Sequence, residues 1–290
     1  MILQRKFFLG DEWLYYKLYC GIRSADDVLI ELIGPLINKL KEQSYIDSWF
    51  FIRYNDPEPH IRLRFHIVDI RKIGIIISLV KENIKFKLDE GSIWDLQTGT
   101  YCREIERYGT NTMLLSEKLF HHDSNLILYA LSAIQHEEHY FMYILKCVDR
   151  FLNEFNLAIE EKLNFCKKNA DAYKNEFRIE KNSKISIDKK YRKIRTELEK
   201  FLKEDDTEFK EYFTAITNRN YEIKKEIKAI LKHVKENTLD IDFNDFISSH
   251  IHMFVNKAFS SKQRFYELLI YDFLERYTNS FLKKKKTAPN

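Results

Sequence analysis

The sequence predicts an α+β protein in which an antiparallel or mixed sheet with packed helices comes first and a largely helical half follows. Three observations predict this class. Apolar and polar residues alternate on both sides of an Asp-Pro-Glu-Pro turn at 56–59, which indicates a β-hairpin. Residues 13–19 indicate a strand before the hairpin. From Asn111 onward, the apolar residues keep helical spacing almost throughout.

The first part of the chain, up to about residue 108, mixes strands and helices. After the first strand, Ser24 is placed to cap a helix whose apolar positions run to Leu40. The hairpin follows, and a second helix is predicted at 70–84. An extended segment at 94–106 completes this part.

Helices are predicted for most of the remaining chain, at 111–120, 124–152, 157–174, 187–203, 207–236, 243–258 and 261–283. The polar, basic segment 181–193 is predicted to be a connection or an exposed loop. Because amphipathic helices need a partner for their apolar faces, we expect them to pack on the sheet. We expect one domain over residues 1–290, with an α+β part at 1–108, a helical part at 109–283 and a basic tail at 284–290.

The composition is typical of a soluble globular protein, with 44% hydrophobic and 32% charged residues. The net charge of +4 comes largely from the lysines at 283–286 and is too small to indicate nucleic-acid binding. The longest apolar run, at 73–80, is too short to span a membrane, and no signal-peptide pattern is present. The four scattered cysteines favour reduced thiols. We therefore expect a cytoplasmic protein with neither a membrane nor a direct nucleic-acid partner.

The second strand of the hairpin carries the strongest functional signal. Alternation places His60, Arg62 and Arg64 on one face, with Arg53 on the preceding strand. Two guanidiniums and an imidazole repel each other and are hard to bury, so an anionic ligand explains them more easily than packing does. Arginine holds carboxylates and phosphates through two parallel hydrogen bonds. The alternative is a solvated strand face at an open sheet edge.

A second signal lies at the end of the extended segment, in residues 101–109. Arg107 is expected at the end of a strand, a common location for binding groups, and Glu104 could pair with an arginine and hold its orientation. The alternative is an ordinary strand-to-helix corner with surface ion pairs.

A third signal lies on a predicted helix near the C-terminus. His252 and Asn256 are four residues apart and share a face with Ser249. Histidine is the most frequent general acid or base near neutral pH. The alternative is a core histidine whose hydrogen bonds are all satisfied.

Two other histidine clusters carry less weight. The histidines of His136-Glu137-Glu138-His139 are three residues apart, unlike those of the metalloprotease HExxH motif, and no metal site is predicted. Asp123 or Ser124 is predicted to cap a helix boundary after His121-His122. The chain has no glycine-rich phosphate loop, GxSxG motif or cysteine-nucleophile motif, so nucleotide-driven chemistry and acyl hydrolysis are poorly supported.

Taken in order, these segments resemble the thiopeptide-type bacteriocin biosynthesis domain, which is also the C-terminal elimination domain of class I lantibiotic dehydratases. The matching motifs are 13–19, 50–54 with Asp56-Pro57, 60–64, 101–109, 117–120 with Asp123-Ser124, and 251–253 with Asn256. The resemblance spans about residues 10–280. The chain departs from the family at Lys257, where an arginine is usual, and at Thr110, where a second glycine is common. Lys257 keeps the charge but not the planar fork.

The resemblance implies a glutamate-elimination lyase. In such domains a serine or threonine of a ribosomally made precursor peptide is first glutamylated elsewhere, and elimination leaves dehydroalanine or dehydrobutyrine. By motif position, the catalytic residues are His252 for proton transfer together with Arg64 and Arg107. The residues implied to bind substrate are Arg53, Arg62, His60, Asn256 and Lys257, with Arg62 acting on the glutamyl group and His60 in support.

The resemblance also implies two partners, the glutamylated precursor peptide and a separate glutamylating dehydratase subunit. No metal or organic cofactor is expected, because elimination is proton transfer with leaving-group stabilisation. Two alternatives stay open. Some standalone relatives in thiopeptide pathways fuse two dehydroalanines into a pyridine ring by a formal cycloaddition (4+2). A non-catalytic subunit of a split dehydratase would only bind peptide. The retained arginines and His252 favour elimination.

Overall fold

A computed structural model describes residues 3–204 and 209–287 and confirms the α+β class. The residues form two units, each with its own core. The first unit comprises residues 1–133 and 232–261, and the second comprises 134–231 and 262–290. The expectation of one domain over residues 1–290 stays a prediction.

The strands all belong to the first unit. They are β1 (Lys6–Phe7), β2 (Trp13–Cys20), β3 (Ile46–Tyr54), β4 (His60–Ile67), β5 (Ile93–Thr98) and β6 (Tyr101–Cys102). Four of them form a sheet in the order β3-β4-β2-β5 in which every pair of neighbours is antiparallel, while β1 pairs with β6. The predicted hairpin is confirmed as β3 and β4, joined through a turn at 56–59.

The helices, in chain order, are α1 (Ala25–Asp27), α2 (Gly34–Glu42), α3 (Ile73–Asp89), α4 (Ile105–Tyr108), α5 (Met113–Ala133), α6 (Glu137–Glu154), α7 (Ile159–Glu176), α8 (Lys181–Lys203), α9 (Lys210–Glu222), α10 (Lys224–Lys235), α11 (Phe243–Ala258) and α12 (Gln263–Thr287). A π-helical stretch, Val28–Ile33, joins α1 to α2. Ser24 precedes α1, but its hydroxyl donates to the Gly21 carbonyl and makes no cap.

The two faces of the sheet differ in chemistry. One face carries Leu63 and Phe65 of β4 with Trp49 and Phe51 of β3, all fully buried, and it belongs to the core of the first unit. The other face carries His60, Arg62 and Arg64, as alternation predicted. The local pattern therefore placed these three residues correctly on one side of β4.

Some predicted boundaries were wrong. α5 is one helix where the sequence predicted a break after His121-His122, so Asp123 and Ser124 lie inside it and cap nothing. Residues 181–193 are helical because Ile187, Tyr191 and Ile194 recur at helical spacing and are buried. The extended segment at 94–106 is divided among β5, β6 and α4. The helix predicted at 207–236 is interrupted at Ile223 between α9 and α10, and residues 207 and 208 lie outside the described residues.

The second unit is helical. Helix α12 packs along α7 and also contacts α6 and α8, and α6 packs on α9. Packing of amphipathic helices on one another accounts for this unit, whereas in the first unit α5 and α11 pack on β3. Of the predicted basic tail, 284–287 continue α12 and 288–290 lie outside the described residues. Within the described residues, no helix has both the length and the apolar composition needed to cross a membrane.

Candidate functional site

Arg64 is buried in the middle of the sheet's polar face. Register places it opposite Tyr15 on β2 and Phe50 on β3. Its guanidinium carbon lies 4.6 Å from the ring centre of Tyr15 and 5.0 Å from those of Phe50 and Tyr101. Arg64 is buried although such a cluster is hard to bury, and three aromatic rings supply part of the attraction that water would otherwise give.

Two nitrogen atoms of the Arg64 guanidinium have no hydrogen-bond acceptor among the described residues. Its Nε and Nη1 atoms are buried and donate to no acceptor within residues 3–204 and 209–287. Burial lowers the pKa of the guanidinium, yet an arginine stays charged in proteins. A buried cation with unmatched N–H groups is costly to the fold, so an anion that satisfied them would be bound strongly.

A pocket opens beside this guanidinium. Its empty volume, including solvent at the mouth, is about 270 Å³. It is lined by Phe50, Ile52, Arg64, Tyr101, Cys102, Glu104, Tyr108, Met113, Phe120 and Met253. The walls are mainly apolar and aromatic, and Arg64 and Glu104 supply the only ionisable charges of that lining. A single buried guanidinium among mainly apolar walls suits a small anionic group.

Gly99 allows one wall of the Arg64 cage to form. A Cβ at this position would lie 2.7 Å from the Tyr15 ring, closer than any side chain tolerates. The tyrosine ring therefore rests on the glycine backbone while its face meets Arg64. Tyr15 belongs to the 13–19 motif, but its uncharged side chain did not mark it as a site residue, and Gly99 lies outside the motifs.

Arg62 lies two residues before Arg64 and is held by its neighbours. Its guanidinium carbon is 3.4 Å from the ring centre of Tyr54, and its Nε donates to His60 Nε2 at 3.0 Å. Because Arg62 can only donate, His60 must carry its proton on Nδ1, which donates to the Glu58 carbonyl at 2.7 Å. Burial lowers the pKa of His60, which keeps the neutral form that this arrangement needs.

Arg53 does not share the face of the other three cations. Register pairs it with Ile61, so its side chain lies on the opposite side of the sheet. There its Nη2 pairs with Asp26 at 2.6 Å and its Nε donates to the Lys257 carbonyl at 2.9 Å. The structure thus separates Arg53 from the polar face.

Asn256 and Lys257 lie close to Arg53 rather than to Arg64. The Asn256 side chain hydrogen-bonds both the N–H and the carbonyl of Arg53. Lys257 is fully buried, with its ammonium 5.1 Å from the ring centre of Phe120, which also lines the pocket. The Asn256 side chain therefore joins α11 to β3, and the Lys257 ammonium lies beside a ring that lines the pocket.

Two residues of α5 cover the same edge of β3. His121 Nδ1 lies 3.2 Å from both the N–H and the carbonyl of Trp49, and the Phe51 N–H donates to Ser124 Oγ at 3.4 Å. With Asn256, three side chains replace the missing neighbour strand of β3. The buried histidine stays neutral, because burial lowers its pKa to about 3.

Arg107 lies in α4 rather than at the end of a strand, so that expectation was wrong. Its side chain is about half exposed, and its Nε pairs with Glu104 at 3.1 Å. The predicted pairing of Glu104 with an arginine is confirmed. Since Glu104 lines the pocket, it connects Arg107 to the pocket's mouth. Gly109 follows α4 at a φ of +72°, where a Cβ would collide with Asp240.

His252 is half-buried on α11 and is not among the residues lining the pocket, whereas the next residue, Met253, is. The fully buried histidine of this helix is His250, whose Nε2 lies 3.1 Å from Ser116 Oγ and whose ring packs edge-on against Tyr108 at 5.0 Å. The structure therefore brings α11 to the pocket through Met253, with His252 adjacent in sequence.

A buried ion pair that the sequence did not single out supports the pocket from below. Arg103 makes two hydrogen bonds of 2.7 Å to the Glu117 carboxylate, which also accepts from the Tyr101 hydroxyl at 2.8 Å. Burial raises the pKa of Tyr101, so its hydroxyl remains a donor. Arg103 lies in the 101–109 motif and Glu117 in the 117–120 motif, but neither motif indicated that the two side chains form an ion pair.

The described residues contain no group of three or more histidine, cysteine, aspartate or glutamate side chains arranged to hold a metal ion. In the second unit, His139 Nε2 pairs with Glu197 at 3.0 Å. No disulfide joins the four cysteines, all of which lie in the described residues, and of these Cys102 is the exposed one.

Comparison with known proteins gives a consistent result. Residues 13–278 match the family described as lantibiotic biosynthesis dehydratase C-term. The chain is 31% identical over 189 residues to the subtilin biosynthesis protein SpaB of Bacillus subtilis, which covers 61% of this chain and 18% of SpaB. It is 37% identical over 127 residues to the nisin biosynthesis protein NisB of Lactococcus lactis subsp. lactis, covering 43% of this chain and 12% of NisB.

The fold is similar to that of the tRNA dependent lantibiotic dehydratase MibB from Microbispora sp. 107891. The TM-score is 0.72 at 17% sequence identity, over 96% of this chain and 29% of MibB. This chain therefore spans less than a fifth of SpaB and of NisB and less than a third of MibB.

Proposed function

Because the chain belongs to the lantibiotic biosynthesis dehydratase C-terminal family, we propose that it is a lyase that eliminates glutamate from glutamylated serine and threonine residues of a precursor peptide. The products are dehydroalanine and dehydrobutyrine. The observation that carries the proposal is Arg64, a buried cation with unmatched N–H donors lining a small pocket. Such a group suits a leaving carboxylate better than it suits packing.

The reaction balances without an external reagent. A base removes the Cα proton of the modified residue, the freed electron pair forms the Cα=Cβ bond, and the Cβ–O bond breaks. Glutamate leaves with its carboxylate carrying the negative charge. The enzyme must therefore position a base and stabilise two anions, the enolate and the leaving group.

Each role has a candidate on this chain. Arg64 and Arg62 on the polar face, with Arg107 through its pairing to Glu104, supply positive charge for the glutamyl group. His252 on α11 is the proposed proton-transfer residue. Removing a preorganised donor to a developing anion typically lowers the rate by about 10²–10³-fold.

Arg53, Asn256 and Lys257 take a different role from the one their motif positions suggested. Their contacts support a scaffolding function, in which Arg53 and Asn256 fasten β3 to α11 and Lys257 packs beneath Phe120. His60 supports Arg62 as its hydrogen-bond acceptor. We propose that these four residues orient the site without contacting the glutamyl group.

The proposed partners follow from the chemistry. The substrate is a peptide that already carries a glutamyl ester, so a glutamylating activity must act first, and we propose that a separate subunit supplies it. Association between that subunit and this chain would transfer the glutamylated peptide from the glutamylating site to the elimination site.

The test is to incubate the purified protein with a peptide glutamylated on serine and to follow its mass. Loss of glutamate with formation of a dehydro residue is expected, and His252→Ala and Arg64→Ala should leave the peptide unchanged. Arg71→Ala is a matched control, because Arg71 is an exposed arginine of the same unit that pairs with Asp69. An unchanged peptide with the wild-type protein would contradict the proposal.

A second substrate separates elimination from cyclisation. A peptide that already carries two dehydroalanines should remain linear, since a cycloaddition would produce a macrocycle with a pyridine ring. A macrocyclic product would replace the lyase proposal by the cyclase alternative. Binding of the glutamylated peptide without any turnover would instead indicate a non-catalytic subunit.

A further inference from the structure

The two edges of the four-stranded sheet differ in how their backbone groups are satisfied. At β3, side chains of α5 and α11 bond the outward groups of Trp49, Phe51 and Arg53. At β5, the described part of the chain provides no hydrogen bond to the outward backbone groups. Open edges of this kind pair readily with another extended chain, and proteins usually block them.

The ladder defines which groups of β5 point outward. The Gly99 N–H donates to the Tyr15 carbonyl at 3.1 Å, so the backbone groups of Gly99 point toward β2. Because orientation alternates along an antiparallel ladder, Gln97 also points toward β2, whereas Leu96 and Thr98 point away from it. Each of these two residues offers one N–H and one carbonyl, at the spacing that an extended peptide requires.

We propose that the outer edge of β5 binds the peptide substrate as an added antiparallel or parallel strand, an inference that rests on the proposed function. Main-chain hydrogen bonds form with many peptide sequences, and other pockets then recognise the peptide's side chains. The edge carries neither lysine nor proline, the residues that commonly prevent such pairing. Thr98 and Gln97 are exposed, so the edge is accessible.

The polar face connects this edge to the site. Gln97 lies beside Lys17 on β2, and Lys17 lies opposite Arg62 on β4. With strands about 4.8 Å apart, an added strand would lie about 14 Å from β4. About four extended residues span that distance, so a peptide held at the edge can deliver a neighbouring residue to the pocket.

Charge favours a peptide over a second copy of this chain. The face beside the edge carries three cations, Lys17, Arg62 and Arg64, against Asp95 of β5, and each glutamyl ester brings one free carboxylate toward them. A second copy paired edge to edge would extend the sheet with the same basic face. The cations therefore favour a peptide that presents glutamyl carboxylates over a second copy of the same basic face.

The test compares Leu96→Pro with Leu96→Ala. The proline removes an outward N–H without taking a bond from the β2 ladder, and the alanine keeps that N–H. We expect Leu96→Pro to raise KM about tenfold for a long glutamylated peptide, with kcat unchanged, because the edge pairing is weakened. A minimal substrate, the acetylated and amidated O-glutamyl serine, is too short to reach the edge and should give the same kinetics in both variants.

Direct binding separates this inference from the proposed function. If neither substrate is turned over, fluorescence anisotropy of the labelled long peptide still compares the two variants, and an equal Kd would overturn the edge site. A scan of peptides N-methylated at single residues should weaken binding at every second position, and an effect without that period would also overturn it. The scan uses the unmodified protein, so it holds even if Leu96→Pro fails to fold.

Sedimentation velocity tests the competing occupant. In the absence of peptide, the wild-type protein and the Leu96→Pro variant should have the same sedimentation coefficient. A dimer that becomes monomeric on this substitution would assign the edge to a second copy and overturn the proposal.

Discussion

Asn256 on α11 hydrogen-bonds both backbone groups of Arg53 on β3, accepting from its N–H at 2.9 Å and donating to its carbonyl at 3.0 Å. The two residues are 203 positions apart in the sequence. The contact fixes the helix that carries His252 against the hairpin that carries Arg62 and Arg64. An amide is the one side chain of this size that can both donate and accept here.

Asn256→Asp should destabilise the first unit. The carboxylate cannot donate to the Arg53 carbonyl and instead faces it with negative charge, so we expect the free energy of unfolding to fall by about 2–3 kcal/mol. Urea denaturation followed by circular dichroism measures the change. Asn244→Asp is a matched control on the same helix, since Asn244 is exposed near the helix N-terminus, where negative charge is tolerated. Equal losses in both variants would contradict the assigned role.

Arg64→Met should separate stability from activity. The variant removes a buried guanidinium with unmatched donors, so we expect the free energy of unfolding to stay the same or to rise by about 1–2 kcal/mol. The elimination rate should fall by about 10²–10³-fold at the same time. Thermal denaturation and single-turnover kinetics measure the two effects. A methionine variant that is much less stable than the wild type would indicate that Arg64 serves the fold.

The affinity for the glutamylated peptide should depend on pH through His60. Its Nε2 must be unprotonated to accept from Arg62, and burial lowers its pKa below the usual value of about 6.5. The hydrogen bond is therefore present at higher pH and is lost as the pH falls through the lowered pKa. We expect KM to be constant above about pH 6.5 and to rise only below it.

His60→Gln tests this origin, because the amide oxygen accepts from Arg62 at any pH. The variant should lack the rise in KM at low pH. His66→Gln provides the control on the same strand, since His66 is partly exposed and pairs with Asp47. If the rise in KM at low pH persists in His60→Gln but disappears in His66→Gln, the pH dependence belongs to His66 and not to His60.

His121 should make stability depend on pH as well. Its pKa is lowered to about 3 in the folded protein against about 6.5 in the unfolded chain, so the unfolded chain alone binds this proton between those values. Stability is then lost as the pH falls below about 6.5, by roughly 1.4 kcal/mol per pH unit. Urea denaturation at several pH values should give a slope smaller by about one proton for His121→Asn than for the wild type. Equal slopes would show that another group is responsible.

The edge of β3 illustrates what sequence patterns miss. His121 and Ser124 stand near an expected helix boundary in the sequence, yet both lie within α5 and bond the backbone of β3. Capping is a local tendency of serine, and a nearby strand edge offered their polar groups a partner that no local pattern records. The motifs likewise marked Arg53 and Asn256 as candidate site residues, but they did not indicate that the two residues contact each other.

The sequence by itself determined the α+β class, the hairpin and the common face of His60, Arg62 and Arg64, because periods of two and of 3.6 residues are local properties of the backbone. The tertiary structure alone decided that Arg64 is caged by aromatic rings while Arg53 turns to the opposite face and Asn256 closes β3. Those outcomes depend on strand register and on contacts between segments that are distant in the sequence. Burial therefore gives the guanidinium groups of Arg53 and Arg64 different partners and different roles.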